Sequence, residues 1–274
     1  MIRIVTDSTS DFTVEEAKKY NIDMVPLSVV FGEETYLDRV ELDCATFYDM
    51  LKTKEYPTTS QPAPSQFYDV YKKYDETDEI IVIGISGELS GTIKSARIAS
   101  LDFKNKFEVY DSKLAAIATR ILVMKAIRLR DEGKSFDEIV KAIHDLQPKI
   151  DLYAGFDTLE YLVKGGRISK VVGTTGSLLK IKPLISLEEG KVVQVGKARG
   201  TKAMISSVVD KSLESGIDNN EDVILGYTKD QENALKLKEA LEEKGINVTE
   251  VVEIGAVIGV HAGPGACAVA FVKK

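Results

Sequence analysis

The stretch DEIIVIG at residues 78–84 runs from two acidic residues into the apolar run IIVIG, followed by the glycine-rich loop ISGELSG and then by a helical pattern. A strand apolar on both faces must be covered on both faces, which is the situation of a parallel sheet flanked by helices. The same alternation runs through the first half of the chain. Residues 2–6, 22–31 and 106–112 read as strands. Residues 13–20, 43–53, 64–74, 91–101, 114–131 and 135–146 have helical spacing, and Thr13 with Glu16 forms a capping-box pattern at the head of the first helix. Three prolines in YPTTSQPAPS, residues 56–65, forbid a continuous helix there and predict a stiffened, hydroxyl-rich loop.

Beyond Pro148 the pattern changes. A strand is expected over 151–158, then a short helix with a glycine turn, then a hairpin over 182–198 turning at Glu189-Gly190. Two more helices and three more strands close the chain. The reading is α/β: two domains, residues 1–149 with a mostly parallel sheet and residues 150–274 with a mixed sheet, and a ligand cleft between them.

Composition removes several function classes. The 274 residues carry a net charge of −7, which argues against a nucleic-acid partner. Cys44 and Cys267 lie far apart without paired spacing, so a reducing compartment and no disulfide framework are expected. The opening MIRIVTDSTSD lacks the apolar core of a signal peptide, and a cytoplasmic location is expected. Residues 255–272, GAVIGVHAGPGACAVAFV, hold no acidic residue, lysine or arginine and reach the length of a membrane span. Their glycines, Pro264 and His261 favour instead apolar stretches around a tight loop in a water-surrounded core.

The phosphate-cradling loops are absent. GKS at 133–135 has Arg128 where the first glycine of a P-loop belongs, and GPGACA near the end lacks the last glycine of a dinucleotide loop. His144 and His261 have no metal-ligand spacing, and His144 lies in an ordinary amphipathic helix. Asp7 and Asp11 are more simply turn and capping residues than cation ligands. No metal and no cofactor are expected.

Ser90 sits at a strand-to-helix turn and has two chemical readings. As a nucleophile it fits poorly, because GELSG places it one residue late for the nucleophile elbow. As a holding group it fits an anion cradle, with Gly91 for close approach and Thr92 beside it at a helix start. A plain helix cap is the third option. TTSQPAPS and GVHAGPGA supply two further polar loops, the second carrying His261 amid glycines that leave room for a ligand.

Taken in order, DSTSD (7–11), TTSQPAPS (58–65), SGELSGTIKSA (86–96), LEYLVKGGRIS (159–169), IKPLI (181–185), KARGTKAM (197–204) and GAVIGVHAGPGA (255–266) resemble the DegV family of bacterial fatty acid-binding proteins. One departure is Ser86-Gly87, where the family usually has two serines. The resemblance implies a two-domain fold with an acyl chain buried between the domains. It implies a carboxylate held by Thr59, Ser90 and His261, with Ser60, Gly91 and Thr92 as further loop contacts. It also implies a carrier rather than an enzyme. The long-chain fatty acid would be presented to a separate ATP-dependent fatty acid kinase subunit that forms an acyl phosphate, with Arg199 as the docking residue. Arg167 and Lys170 read as solvated surface charges or as companions of Arg199 in that docking. A transient membrane contact is left open. The competing expectation is a lipid hydrolase or acyltransferase using Ser90 and His261.

Overall fold

The computed structural model describes residues 1–168 and 181–274. Lys170, singled out above, lies outside the described residues. The first half runs β1 (Ile2–Asp7), α1 (Val14–Lys19), β2 (Asp23–Val25), β3 (Ser28–Phe31), β4 (Glu34–Leu37), α2 (Cys44–Thr53) and β5 (Thr58–Ser60). It continues with α3 (Pro64–Tyr71), β6 (Glu79–Gly84), α4 (Thr92–Ser100), β7 (Lys106–Asp111), α5 (Ile117–Asp131) and α6 (Phe136–Leu146). The second half holds β8 (Ile150–Gly155), α7 (Glu160–Lys164), β9 (Ile181–Glu188), β10 (Lys191–Arg199) and α8 (Thr201–Ser215). It ends with β11 (Val223–Tyr227), α9 (Glu232–Glu242), β12 (Glu250–Glu253), α10 (Ala256–Ala262) and β13 (Cys267–Val272).

The expected N-terminal parallel sheet is present, in the order β2-β1-β6-β7 with every pair parallel. The run Ile80–Ile83 at its centre is buried throughout, as an apolar-on-both-faces strand requires. The C-terminal sheet is mixed, in the order β10-β9-β8-β13-β11-β12, with only the β11–β12 pair parallel. The β9–β10 hairpin turns at Glu189 and Gly190, both with positive φ, as the sequence predicted.

Besides β4, which no expected strand covered, three elements differ from the sequence reading. Residues 22–31 are two strands, not one: Pro26 has no N–H to offer a ladder, and the chain leaves the parallel sheet there. The second of them, β3, belongs to a small antiparallel sheet ordered β4-β3-β5. Its edge strand β5 lies inside the proline-rich stretch read as a loop, between Pro57 and Pro62. An edge strand tolerates flanking prolines because one side of its backbone needs no partner. Finally, residues 255–266 are not all loop. Helix α10 comes first and the glycine turn follows, so His261 stands in a last helical turn. The segment that reaches the length of a membrane span divides into α10 and the wholly buried strand β13. Among the described residues no helix is long and apolar enough to cross a membrane.

Helix α5 packs against strands of both large sheets. One apolar cluster accordingly joins Ile81 and Ile83 of β6, Ile121 and Leu122 of α5, and Leu152 and Ala154 of β8. Arg120 of α5 is fully buried and paired on both sides, with Glu16 of α1 and Glu250 of β12, beneath the Phe12 ring. A buried guanidinium is tolerated only when its donors are met in this way. Cys44 and Cys267 are both buried and unbridged.

Candidate functional site

Where the loops of the parallel sheet meet the mixed sheet there is a cavity of about 380 Å³. Its walls are mostly aliphatic: Leu152 and Ala154 of β8, Ile185 and Leu187 of β9, and Val257 and Ile258 of α10 are among them. Its polar residues are Thr59, Ser60, Gln61, Ser90, Arg167 and His261. Direct contact joins two of these side chains, and backbone and glycine contacts place others. Thr59 Oγ1 lies 2.9 Å from His261 Nε2. The Gln61 carboxamide packs against Gly91 where a β-carbon would otherwise stand, and the His261 ring does the same at Gly165. Arg167 Nη1 donates to Gly165 O at 2.6 Å, and its Nε donates to Leu89 O at 3.3 Å.

Each polar side chain is set by a different element. Thr59 stands in β5 opposite Val29 of β3. Ser90 is fixed by the turn after β6, in which Ile85 N donates to buried Asp7 Oδ2 at 2.8 Å and Ser90 N donates to Ser86 O at 3.1 Å. Ser86 Oγ in turn donates to Gly190 O of the distant hairpin at 2.8 Å. This contact ties the Ser90 loop to the mixed sheet. His261 rides on α10, whose start is held by two buried carboxylates: Asp11 Oδ1 accepts from Gly255 N at 2.8 Å and Asp38 Oδ1 accepts from Ala256 N at 3.0 Å. Its far end is held by Tyr56, whose hydroxyl donates to Val260 O at 2.6 Å. Asp11 therefore caps a helix, as its sequence context suggested, but one lying far along the chain.

The fold brings Thr59, Ser60, Ser90, Gly91 and His261 to one cavity. Thr92 does not line it. It is buried, and its Oγ1 lies 2.8 Å from Ser90 Oγ. Ser90 is not a helix cap either: Gly91 occupies that position and no side chain accepts from the first turn of α4. The arrangement required of a hydrolase is not assembled. Ser90 Oγ meets Thr92 rather than His261, and among the described residues the buried His261 Nδ1 has no partner, so none of their carboxylates orients the ring. Arg199 is exposed and stands apart from the cavity wall. His144 is exposed, its ring tilted against Tyr110 and its Nε2 2.9 Å from Glu108 Oε1, a surface position. Among the described residues no group of three or more His, Cys, Asp or Glu is placed to hold a metal. Two cavity residues escaped the sequence reading. Gln61 sat unremarked inside the quoted TTSQP, and Arg167 read as surface charge.

Burial and the nearby Arg167 push the His261 pKa down to about 4. The imidazole is thus neutral at pH 7 and carries one N–H. Placing that proton on Nε2 leaves Nδ1 as an orphaned acceptor rather than an orphaned donor, the cheaper of the two. His261 then donates to Thr59, and the Thr59 hydroxyl proton is directed to a further acceptor. Ser90, whose Oγ pairs with Thr92 Oγ1, is a second hydroxyl in the same cavity wall.

A profile described as "Uncharacterised protein, DegV family" matches residues 1–274. A DegV domain-containing protein of Caldanaerobacter subterraneus is 35% identical, with 100% of this chain and 99% of that protein aligned. A fatty acid-binding DegV family protein from Thermus thermophilus superposes with a TM-score of 0.90 at 31% identity, covering 99% of both chains. DegV of Bacillus subtilis, described as a fatty acid binding protein, gives 0.84 at 32% identity over 100% of this chain and 99% of its own. Matched over its whole length in sequence and in fold, the chain belongs to the DegV family.

Proposed function

We propose that the protein binds one long-chain fatty acid, its chain along the aliphatic wall and its carboxylate between Thr59, Ser90 and His261. The observation that carries this reading is the pairing of an apolar cavity of about 380 Å³ with the contact of Thr59 to a neutral His261 and the Ser90 hydroxyl in the same wall. Cavities of roughly 300–1,000 Å³ with few, placed polar groups are the usual small-ligand sites. Burying each methylene contributes about 0.8 kcal/mol, so a chain of about fifteen supplies on the order of 12 kcal/mol before ordering costs. The carboxylate must then be met by donors, because leaving it unpaired costs several kcal/mol. The fatty acid-binding relatives from Thermus thermophilus and Bacillus subtilis support the same assignment.

In this reading the protein is a cytoplasmic carrier of two units, residues 1–149 and 150–274, and the chemistry belongs to a partner. A separate kinase would supply ATP. A carboxylate oxygen would attack the γ-phosphorus, the bond to the bridging oxygen would break, and ADP would leave an acyl phosphate behind. The exposed Arg199 at the end of β10 is the proposed docking residue. Denaturing extraction of the purified protein, with mass spectrometry of small lipids, tests the first half: near-stoichiometric fatty acid is expected. A different lipid class would sink the assignment. Arg199→Ala should leave fatty acid binding intact and lower acyl phosphate formation by the partner at least tenfold. Unchanged formation removes the docking role.

A further inference from the structure

Tyr56 does not line the cavity, yet it stands just ahead of Thr59 in the same short segment. The last carbonyls of a helix have no partner within it. In α10 the Gly259 carbonyl accepts from Gly263 N at 2.8 Å as the chain turns. The next carbonyl, Val260 O, accepts from the Tyr56 hydroxyl at 2.6 Å. The residue after Val260 is His261, whose Nε2 lies 2.9 Å from Thr59 Oγ1. Residues 56–59 therefore grip the last turn of α10 twice, once at the backbone and once at the ring. Pro57 lies between the two grips and limits their independent movement. Helix α7 braces Tyr56 in turn. The Tyr161 ring lies 5.9 Å from the Tyr56 ring, and Lys164 Nζ lies 5.1 Å from the centre of that ring. The Tyr161 ring also fills the space beside Gly263, where α10 stops at a φ of +72°. Burial, with Tyr161 and Glu160 nearby, pushes the Tyr56 pKa up to about 12, so its hydroxyl stays a donor at neutral pH.

We propose that Tyr56 is a positioning residue for the carboxylate site: its hydroxyl fixes the last turn of α10 against β5 and so sets how His261 meets Thr59. This rests on the fatty acid reading above and extends the site to a residue outside the cavity wall. Helix α10 has seven residues, too few to hold its own end firmly. Asp11 and Asp38 hold its start. Among the described residues, Tyr56 supplies the one hydrogen bond from another element to the backbone of residues 259–262. The His261 ring has Thr59 as its one hydrogen-bond partner among those residues, since Nδ1 has none. Loss of the Tyr56 hydroxyl leaves that partnership without its backbone support, and the Thr59 proton loses its direction.

The test compares the full-length wild type with Tyr56→Phe, which keeps the ring against Tyr161 and removes only the hydroxyl. After delipidation, Tyr56→Phe should bind palmitate about threefold to tenfold more weakly, the scale of one hydrogen bond. In a Thr59→Val background, with no hydroxyl left to align, adding Tyr56→Phe should cost less than about twofold more. The imidazole resonances of His261 separate positioning from bracing. Their midpoint, about 4 in the wild type, should rise in Tyr56→Phe toward 6.5 by about one unit or more as the ring leaves its buried place. Ser212→Ala removes a buried hydroxyl that donates to Val208 O at 2.8 Å within α8, a helix that contributes nothing to the cavity wall. It should leave palmitate binding and the His261 midpoint unchanged. Equal palmitate binding by the wild type and Tyr56→Phe overturns the proposal. So do additive losses in the double variant, an unmoved His261 midpoint, or a shift of that midpoint shared by Ser212→Ala. If the wild type takes up no palmitate, the fatty acid reading falls, and the His261 midpoint in Tyr56→Phe still decides the role of Tyr56.

Discussion

Thr59, Ser90 and His261 come from a short edge strand, a turn and the last turn of a helix, and the proposed carboxylate site draws on all three side chains. Ser90 tests that site most cleanly, because its hydroxyl meets Thr92 and braces no helix. Ser90→Ala should weaken palmitate binding tenfold to a hundredfold, the equivalent of about 1.5–3 kcal/mol for a hydrogen bond to a charged group, and hexadecanol binding far less. Equal losses, measured by calorimetric titration, would assign Ser90 to packing. His261 should titrate with a midpoint of about 4 in the imidazole resonances. A midpoint near the ordinary 6.5 would show that the ring is neither buried nor influenced by Arg167. The sign for stability follows. As pH falls below about 6.5 the unfolded chain takes up this proton and the folded chain does not, so stability is lost down to about pH 4. What the sequence could not disclose at this scale was Arg167. An arginine near a glycine turn reads as solvated by default, and only the fold turns it toward a cavity.

Helix α10 is the element that carries the site, and its anchoring is remote in sequence. Asp38 is fully buried and accepts from Ala256 N, and burial raises its pKa to about 6, partly offset by Arg39. A carboxyl group raised in this way gives stability that is full below its unfolded value of about 3.8 and is lost as pH rises through about 6. Asp38→Asn keeps an oxygen for Ala256 N and removes the titration. Its stability relative to wild type, from urea unfolding, should therefore rise between pH 4 and pH 6 by up to about 3 kcal/mol. A difference that stays constant across that range would contradict the assignment. Elements with strong periodicity were legible in the sequence: β6 from its apolar run, α1 from Thr13 and Glu16, and the β9–β10 hairpin from Glu189-Gly190. Helix α10 was not. Its seven residues include Gly259 and two β-branched residues besides Ile258, and glycine so near the end of an apolar stretch signals a loop. Carboxylates more than two hundred residues away hold it, and local propensity cannot show them. Strand β4 escaped for the same reason, since its pairing with β3 creates a sheet that neither segment announces alone.

At the scale of the molecule, the cavity exists because two sheets of different character meet over α5. The parallel sheet contributes loops with hydroxyls and a glycine for close approach, and the mixed sheet contributes an aliphatic wall. Order along the chain revealed both sheets but not the line where they meet, because that line depends on long-range packing. The Ser86–Gly190 contact and the Asp11 and Asp38 caps are its polar seams. A crystal structure of the protein saturated with palmitate tests the central claim most directly. The carboxylate oxygens should lie within about 3 Å of Thr59 Oγ1 and Ser90 Oγ, with the chain running along Leu152, Ile185 and Ile258. A chain lying in the reverse direction, or density only outside the cavity, would contradict it.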